Sequence, residues 1–200
     1  MARQPPSDSL SPHLIGTPRG SLVAAALVLS TGLFLTMIWG TLAHLREVAG
    51  GLAPFDMRPG GYDLADARAL LAALGPEGRA YYAETQLRLD TLYPLTYALS
   101  RGLLLLWLAA PGRASSRGLF ASAKAALLIP PAAACFLDWA ENQGIAAMLA
   151  GGAELSPATV ARTSAFTVAK SAASTLAESS VVVLLGAGLW RWLRRRRAGA

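Results

Sequence analysis

Residues 135–149 read Cys-Phe-Leu-Asp-Trp-Ala-Glu-Asn-Gln-Gly-Ile-Ala-Ala-Met-Leu, CFLDWAENQGIAAML. Apolar sequence surrounds two carboxylates and two carboxamides: Asp138, Glu141, Asn142 and Gln143. Asp138, Glu141 and Asn142 stand at i, i+3 and i+4, so in a helix they share one face. A helix of this kind buries its polar stripe and turns its apolar side to a nonpolar surrounding. The expectation is a membrane span whose charged face points into a helical bundle, because ionisable groups are costly at the bilayer centre.

The rest of the chain supports that expectation. Of 200 residues, 54% are hydrophobic and 15% charged, with a mean hydropathy of +0.41. Soluble domains carry about 25% charged residues. Four apolar segments are long enough to cross a hydrocarbon core, which takes ~20 residues. They are expected at about 21–45, 87–110, 119–150 and 165–193. The first is too long for the ~7–15-residue core of a signal peptide and reads as a retained helix. The fold class is therefore all-α, a four-transmembrane-helix bundle. Residues 1–20, with four prolines, read as a flexible cytoplasmic arm, and residues 194–200 as a basic cytoplasmic tail.

Between the first two spans lies an external loop, 46–86. Its residues 46–85 hold six acidic and four basic side chains. Asp63 reads as a helix N-cap with Asp66 three residues on. Leu64, Ala67, Leu70, Leu71 and Leu74 follow at helical spacing, and Gly75 ends the run. This predicts a short amphipathic helix lying on the outer leaflet. Pro76 suits the first turn of a further helix that runs into the second span. Prolines 130 and 131 should interrupt the third span early.

Charge sets the orientation. Arg101, Arg113, Arg117 and Lys124 surround the second loop without an acid, and Arg191 and Arg194–Arg197 close the chain, whereas the first loop is net acidic. The positive-inside rule puts both termini in the cytoplasm. A composition rich in Ala, Arg and Gly points to a bacterial cell inner (plasma) membrane. The basic tail beside an apolar helix reads as an anchor to anionic lipid headgroups, so no nucleic-acid partner is expected.

With that topology, several ionisable groups fall at similar depth. Lys170, Ser174 and Glu178 share a face of the fourth span at i, i+4 and i+8. Asp90, Tyr93 and Tyr97 sit in the outer part of the second. The candidate ligand-binding set is Asp90, Tyr93, Tyr97, Asp138, Glu141, Asn142, Lys170 and Glu178. Asp138 and Glu141 would be anionic contacts and Asn142 an orienting group. Asp90 would form the entrance, Tyr93 and Tyr97 the wall, Lys170 the counter-charge and Glu178 a second-line proton acceptor. In the external loop, FDMRPGGY (residues 55–62) would form a lid. Phe55 and Tyr62 would serve as apolar pegs, with Asp56 pairing with Arg58.

Known catalytic patterns are missing. There is no H-E-x-x-H, G-x-S-x-G, Walker A or G-x-G-D segment, and the single Cys135 permits no intramolecular disulfide and no thiol pair for redox work. His13 and His44 do not make a zinc site. Neither a metal nor a cofactor is expected. Three function classes stay open. The first is an acidic, aromatic-lined cavity for a small hydrophobic, amphipathic or cationic ligand, a lipid or an ion. The second is a scaffold subunit of a membrane complex, with a partner protein or as a homo-oligomer. The third is a lipid-modifying enzyme using paired carboxylates.

Three motifs taken together, FDMRPGGY, RLDTLYP (88–94) and LDWAEN (137–142), resemble those of an uncharacterised family of small four-helix integral membrane proteins. The resemblance spans about Ser21–Leu193. It implies the same four-helix layout and no particular activity.

Overall fold

A computed structural model describes residues 17–110, 117–151 and 154–198, with side-chain surroundings in the third long helix from residue 124 onward. Residues 1–16 of the expected arm (1–20) and the centre of the basic loop at 111–116 lie outside the described residues. Among the described residues all regular structure is helical, with no strand. The helices are α1 (Gly20–Thr36), α2 (Leu42–Val48), α3 (Leu64–Tyr81), α4 (Leu87–Leu108), α5 (Arg117–Gly151) and α6 (Pro157–Ala198). One π-helical turn, Met37–Thr41, joins α1 to α2, and another, Tyr82–Gln86, joins α3 to α4. Four long rods result, running alternately up and down. The start of α1 meets the end of α4, where Gly20 lies beside Trp107.

Two of these rods, Gly20–Val48 and Pro157–Ala198, are long and apolar enough to cross a membrane, with mean hydropathies of 2.1 and 1.5 over their most apolar stretches. α4 is the hub. It packs against α1, α5 and α6, and α5 packs along α6, whereas α1 and α6 scarcely touch. The α5–α6 seam closes at Gly144. A Cβ there would come within 2.0 Å of Thr163 Oγ1, so only glycine allows this approach.

Local signals in the first loop behave as the residues predict. Asp63 accepts from the Asp66 amide at 2.8 Å, and Asp66 accepts from the Asp63 amide at 3.2 Å, a reciprocal capping box. Gly75 breaks the helix with φ +61° and ψ −173°, and Pro76 restarts it. Two expectations change. The apolar face of α3 does not lie open for lipid: Ala67, Leu70, Leu71 and Leu74 are buried in one core with Leu45, Phe55, Tyr82, Ile145 and Met148. The loop curls back over the bundle end, so protein rather than membrane covers its leucines. The prolines do not interrupt the third helix either. α5 runs through Pro130 and Pro131, which forfeit two backbone donors and leave the helix continuous.

The two π-turns face each other. Thr41 Oγ1 donates to Gln86 Oε1, both buried, which ties the first rod to the top of α4. π-turns rotate the helix face by inserting a residue. Here Tyr82 and Leu87 join the core beneath the loop, while Asp90 turns into the bundle.

Candidate functional site

Below the cap, a cavity of about 370 Å³ opens between α1 and α6. α4 and α5 form its back wall, through Asp90, Tyr93, Pro94, Tyr97 and Arg101 on α4 and Ala134 and Asp138 on α5. α6 lends Lys170, Ser174 and Glu178, α1 lends Ser30, Thr31 and Phe34, and the π-turn lends Met37 and Ile38, with Leu42 of α2 above them. Asp56 and Met57 of the cap close the top. From Asp90 to Arg101 the wall extends about 16 Å at 1.5 Å per residue.

Two polar layers cross this space. In the upper one, Lys170 Nζ lies 3.1 Å from Asp138 Oδ1 and also pairs with Glu141 Oε2. Thr167 Oγ1 donates to the other Glu141 oxygen at 2.7 Å. Glu141 is fully buried and Asp138 is 6% exposed. The i, i+3 spacing on α5 lets one lysine reach both acids. In the lower layer, Arg101 Nε donates to Glu178 Oε1 at 2.6 Å, and the Tyr97 hydroxyl donates to the same oxygen at 3.2 Å. The Arg101 guanidinium lies 5.3 Å from the centre of the Tyr97 ring.

Asp90 is different. It is 3% exposed, its Oδ2 has no hydrogen-bond partner, and no basic side chain among the described residues pairs with it. Asn142 Nδ2 donates at 2.8 Å to the Asp90 backbone carbonyl, not to its carboxylate. Asp56 is similar: Oδ2 accepts from the Tyr82 hydroxyl at 2.6 Å, and Oδ1 has no partner.

No family model, curated protein or solved structure matches this chain.

Of the residues singled out from sequence, Asp90, Tyr93, Tyr97, Asp138, Lys170 and Glu178 line the cavity together. Glu141 and Asn142 stand behind its wall, where Glu141 is a strut for Lys170 and Asn142 a strut for the α4 backbone. Gln143 is exposed on the outside of α5. In the cap, Phe55 and Tyr62 are buried with ring centres 4.7 Å apart, and Phe55 also lies 6.2 Å from Tyr82. The Tyr62 amide donates to Ser164 Oγ at 2.8 Å, clamping the loop to α6. Gly61 makes the clamp feasible: its φ is +85°, and a Cβ would come within 2.7 Å of Ser164 Oγ. The expected Asp56–Arg58 pair does not form. Arg58 donates instead to the Ala53 carbonyl and lies 3.8 Å from Asp66.

Burial pushes the Tyr82 phenol well above its ordinary range, reinforced by the neighbouring Asp56 charge. Tyr62 is likewise raised, mainly by burial. Both therefore act as neutral phenols, and Tyr82 is a fixed donor to Asp56.

Sequence reasoning missed Arg101, which it grouped with the loop charges. The readable signal was the run Gly102-Leu-Leu-Leu-Leu-Trp107 that follows it, placing Arg101 well inside the helix. Tyr82, Thr41, Gln86 and Thr167 carried no such signal, because each gains its role from a residue distant in the chain.

Proposed function

We propose that this chain is a four-span protein of the cell inner (plasma) membrane, with both termini cytoplasmic. Its cavity, in the outer half of the bundle beneath the cap, binds a small amphipathic or cationic ligand, a lipid or an ion. The observation that carries this reading is the inversion of polarity across the rods. Large apolar side chains are exposed on every long helix: Val28 and Leu29 on α1, Leu95 and Leu99 on α4, Ile129 and Phe136 on α5, and Val182 and Val183 on α6. Asp90 and Arg101 of α4, Asp138 of α5 and Lys170 and Glu178 of α6 line the cavity between the rods. Such a surface suits hydrocarbon, and such an interior suits a polar ligand.

At the far end, Arg191 and Arg194–Arg197 are exposed, and Arg196 lies over the Trp192 ring at 4.1 Å. An aromatic belt followed by arginines fits the cytoplasmic interface.

A second reading has its own support. Lys170 is already occupied by Asp138 and Glu141, so that triad serves as a structural lock, as a scaffold subunit would need. On the ligand-binding reading, the acids left for a ligand are Asp90 and Asp56.

The test is a structure of the full chain in lipid nanodiscs made from its own host membrane. Non-protein density between Asp90, Tyr97 and Lys170 supports the binding reading. A cavity collapsed onto direct side-chain contacts, with a stoichiometric partner protein retained, overturns it in favour of the scaffold.

A further inference from the structure

We propose that the ligand head is a protonated amine bearing at least one N–H, carried on an apolar tail and admitted sideways between α1 and α6. This rests on the reading of the cavity as a ligand site. Its support is the set of hydrogen-bonding positions left open. Of the charged groups on the wall, Lys170 is matched by Asp138 and Arg101 by Glu178. Asp56 and Asp90 remain, and each has one carboxylate oxygen with no partner. Both open positions are acceptors. Asp90 is 3% exposed and borders the cavity, so a donor brought into that space lies beside a carboxylate with an unmet acceptor. A buried carboxylate without a donor is costly, and a ligand donor with positive charge relieves it.

The chemistry narrows further. A hard metal ion takes six or more oxygen ligands, and no group of three acidic, His or Cys side chains converges to hold one among the described residues. A quaternary ammonium cannot donate to Asp90 Oδ2, and it is best held in an aromatic cage. The rings here form a row instead, Phe34 to Tyr93 at 5.8 Å and Tyr93 to Tyr97 at 6.0 Å. An anionic head would meet Asp56 and Asp90 directly. An ammonium with N–H fits all of these facts.

The route follows from packing. The cap roofs the cavity with Asp56 and Met57, while α1 and α6 leave their shared seam open. That seam is bordered by Phe34, Met37 and Ile38 on the α1 side, an apolar path for a tail. In a bilayer it faces acyl chains, so the ligand arrives from the lipid phase.

A head-group series on one tail tests this. Dodecylamine, dimethyldodecylamine, dodecyltrimethylammonium and dodecanoate are titrated at neutral pH against the full chain in nanodiscs, with native mass spectrometry as the readout. The two N–H amines should bind at least about tenfold more tightly than the trimethyl analogue, the order expected for one charge-assisted hydrogen bond. Asp90→Asn should remove that preference, and Asp56→Asn should weaken it. Equal binding of the trimethyl compound, still lost in Asp90→Asn, overturns the amine inference and leaves the cavity reading standing. Binding of no probe, or binding unchanged in both variants, overturns the two together. Should Asp90→Asn fail to fold, Asp56→Asn and a photoreactive dodecylamine decide. Crosslinks confined to α1, α4 and α6 peptides around the cavity support the proposal, and crosslinks only to the outer helix faces overturn it.

Discussion

Lys170 Nζ on α6 lies 3.1 Å from Asp138 Oδ1 on α5, and the same ammonium pairs with the fully buried Glu141 one turn along. One cation therefore holds two acids that would otherwise repel each other in a poorly hydrated space. Removing the cation alone should be worse than removing the whole set. Lys170→Met is expected to destabilise the bundle by about 3–5 kcal/mol, the usual cost of orphaning a buried charge. The triple variant Lys170→Met, Asp138→Asn, Glu141→Gln should recover much of that loss. Thermal unfolding of both in nanodiscs checks the order, and a triple variant weaker than the single one would refute the lock.

The α5–α6 seam has a steric test. Gly144→Ala places a methyl within 2.0 Å of Thr163 Oγ1 and should cost about 1–3 kcal/mol through forced separation of the helices. Gly32→Ala is the control: no atom lies within 4 Å of its built Cβ, so it should be neutral or slightly stabilising. Equal melting temperatures for the two variants would show that the seam is looser than described.

The cap has a pH signature. Tyr62 and Tyr82 are held above the ordinary phenol value of 10.0 by burial. The unfolded chain releases those protons first as pH rises, so the folded state then binds more protons than the unfolded one. Stability is fully present below about pH 10 and falls above it. Tyr82→Phe should flatten part of that alkaline decline, at the expense of the hydrogen bond to Asp56. Denaturation curves on either side of pH 10 check the sign, and stability that rises there would contradict the burial.

Topology can be read by labelling. In a Cys135→Ala background, Gly60→Cys in the cap should react with an impermeant maleimide on intact cells. Ala198→Cys, at the end of α6, should react only after the membrane is opened. Labelling of both positions from one side would exclude the proposed orientation.

Several local features were legible in the sequence because neighbours in the chain decide them. The Asp63–Asp66 capping box needs residues three apart, and the Gly75 break needs a glycine before a proline. The common face of Asp138 and Glu141 follows from helical periodicity. Topology and helical faces grouped eight candidate ligand contacts, six of which line the cavity. The same reasoning misplaced Arg58, whose partner is not its near neighbour Asp56 but Asp66, one helical turn into α3.

The sequence by itself determined the helices, their polar stripes and the cap's turn chemistry, since each depends on residues a few positions apart. Which stripes meet depends on packing. The tertiary structure alone decided that Lys170 saturates Asp138 and Glu141, that Arg101 takes Glu178 across 77 positions, and that Asp90 is left without a donor. The physical reason is that a buried charge is defined by its partner. Partners are chosen by rotations and depths of whole helices, here shifted by two π-turns and a glycine-thin seam that no local pattern announces.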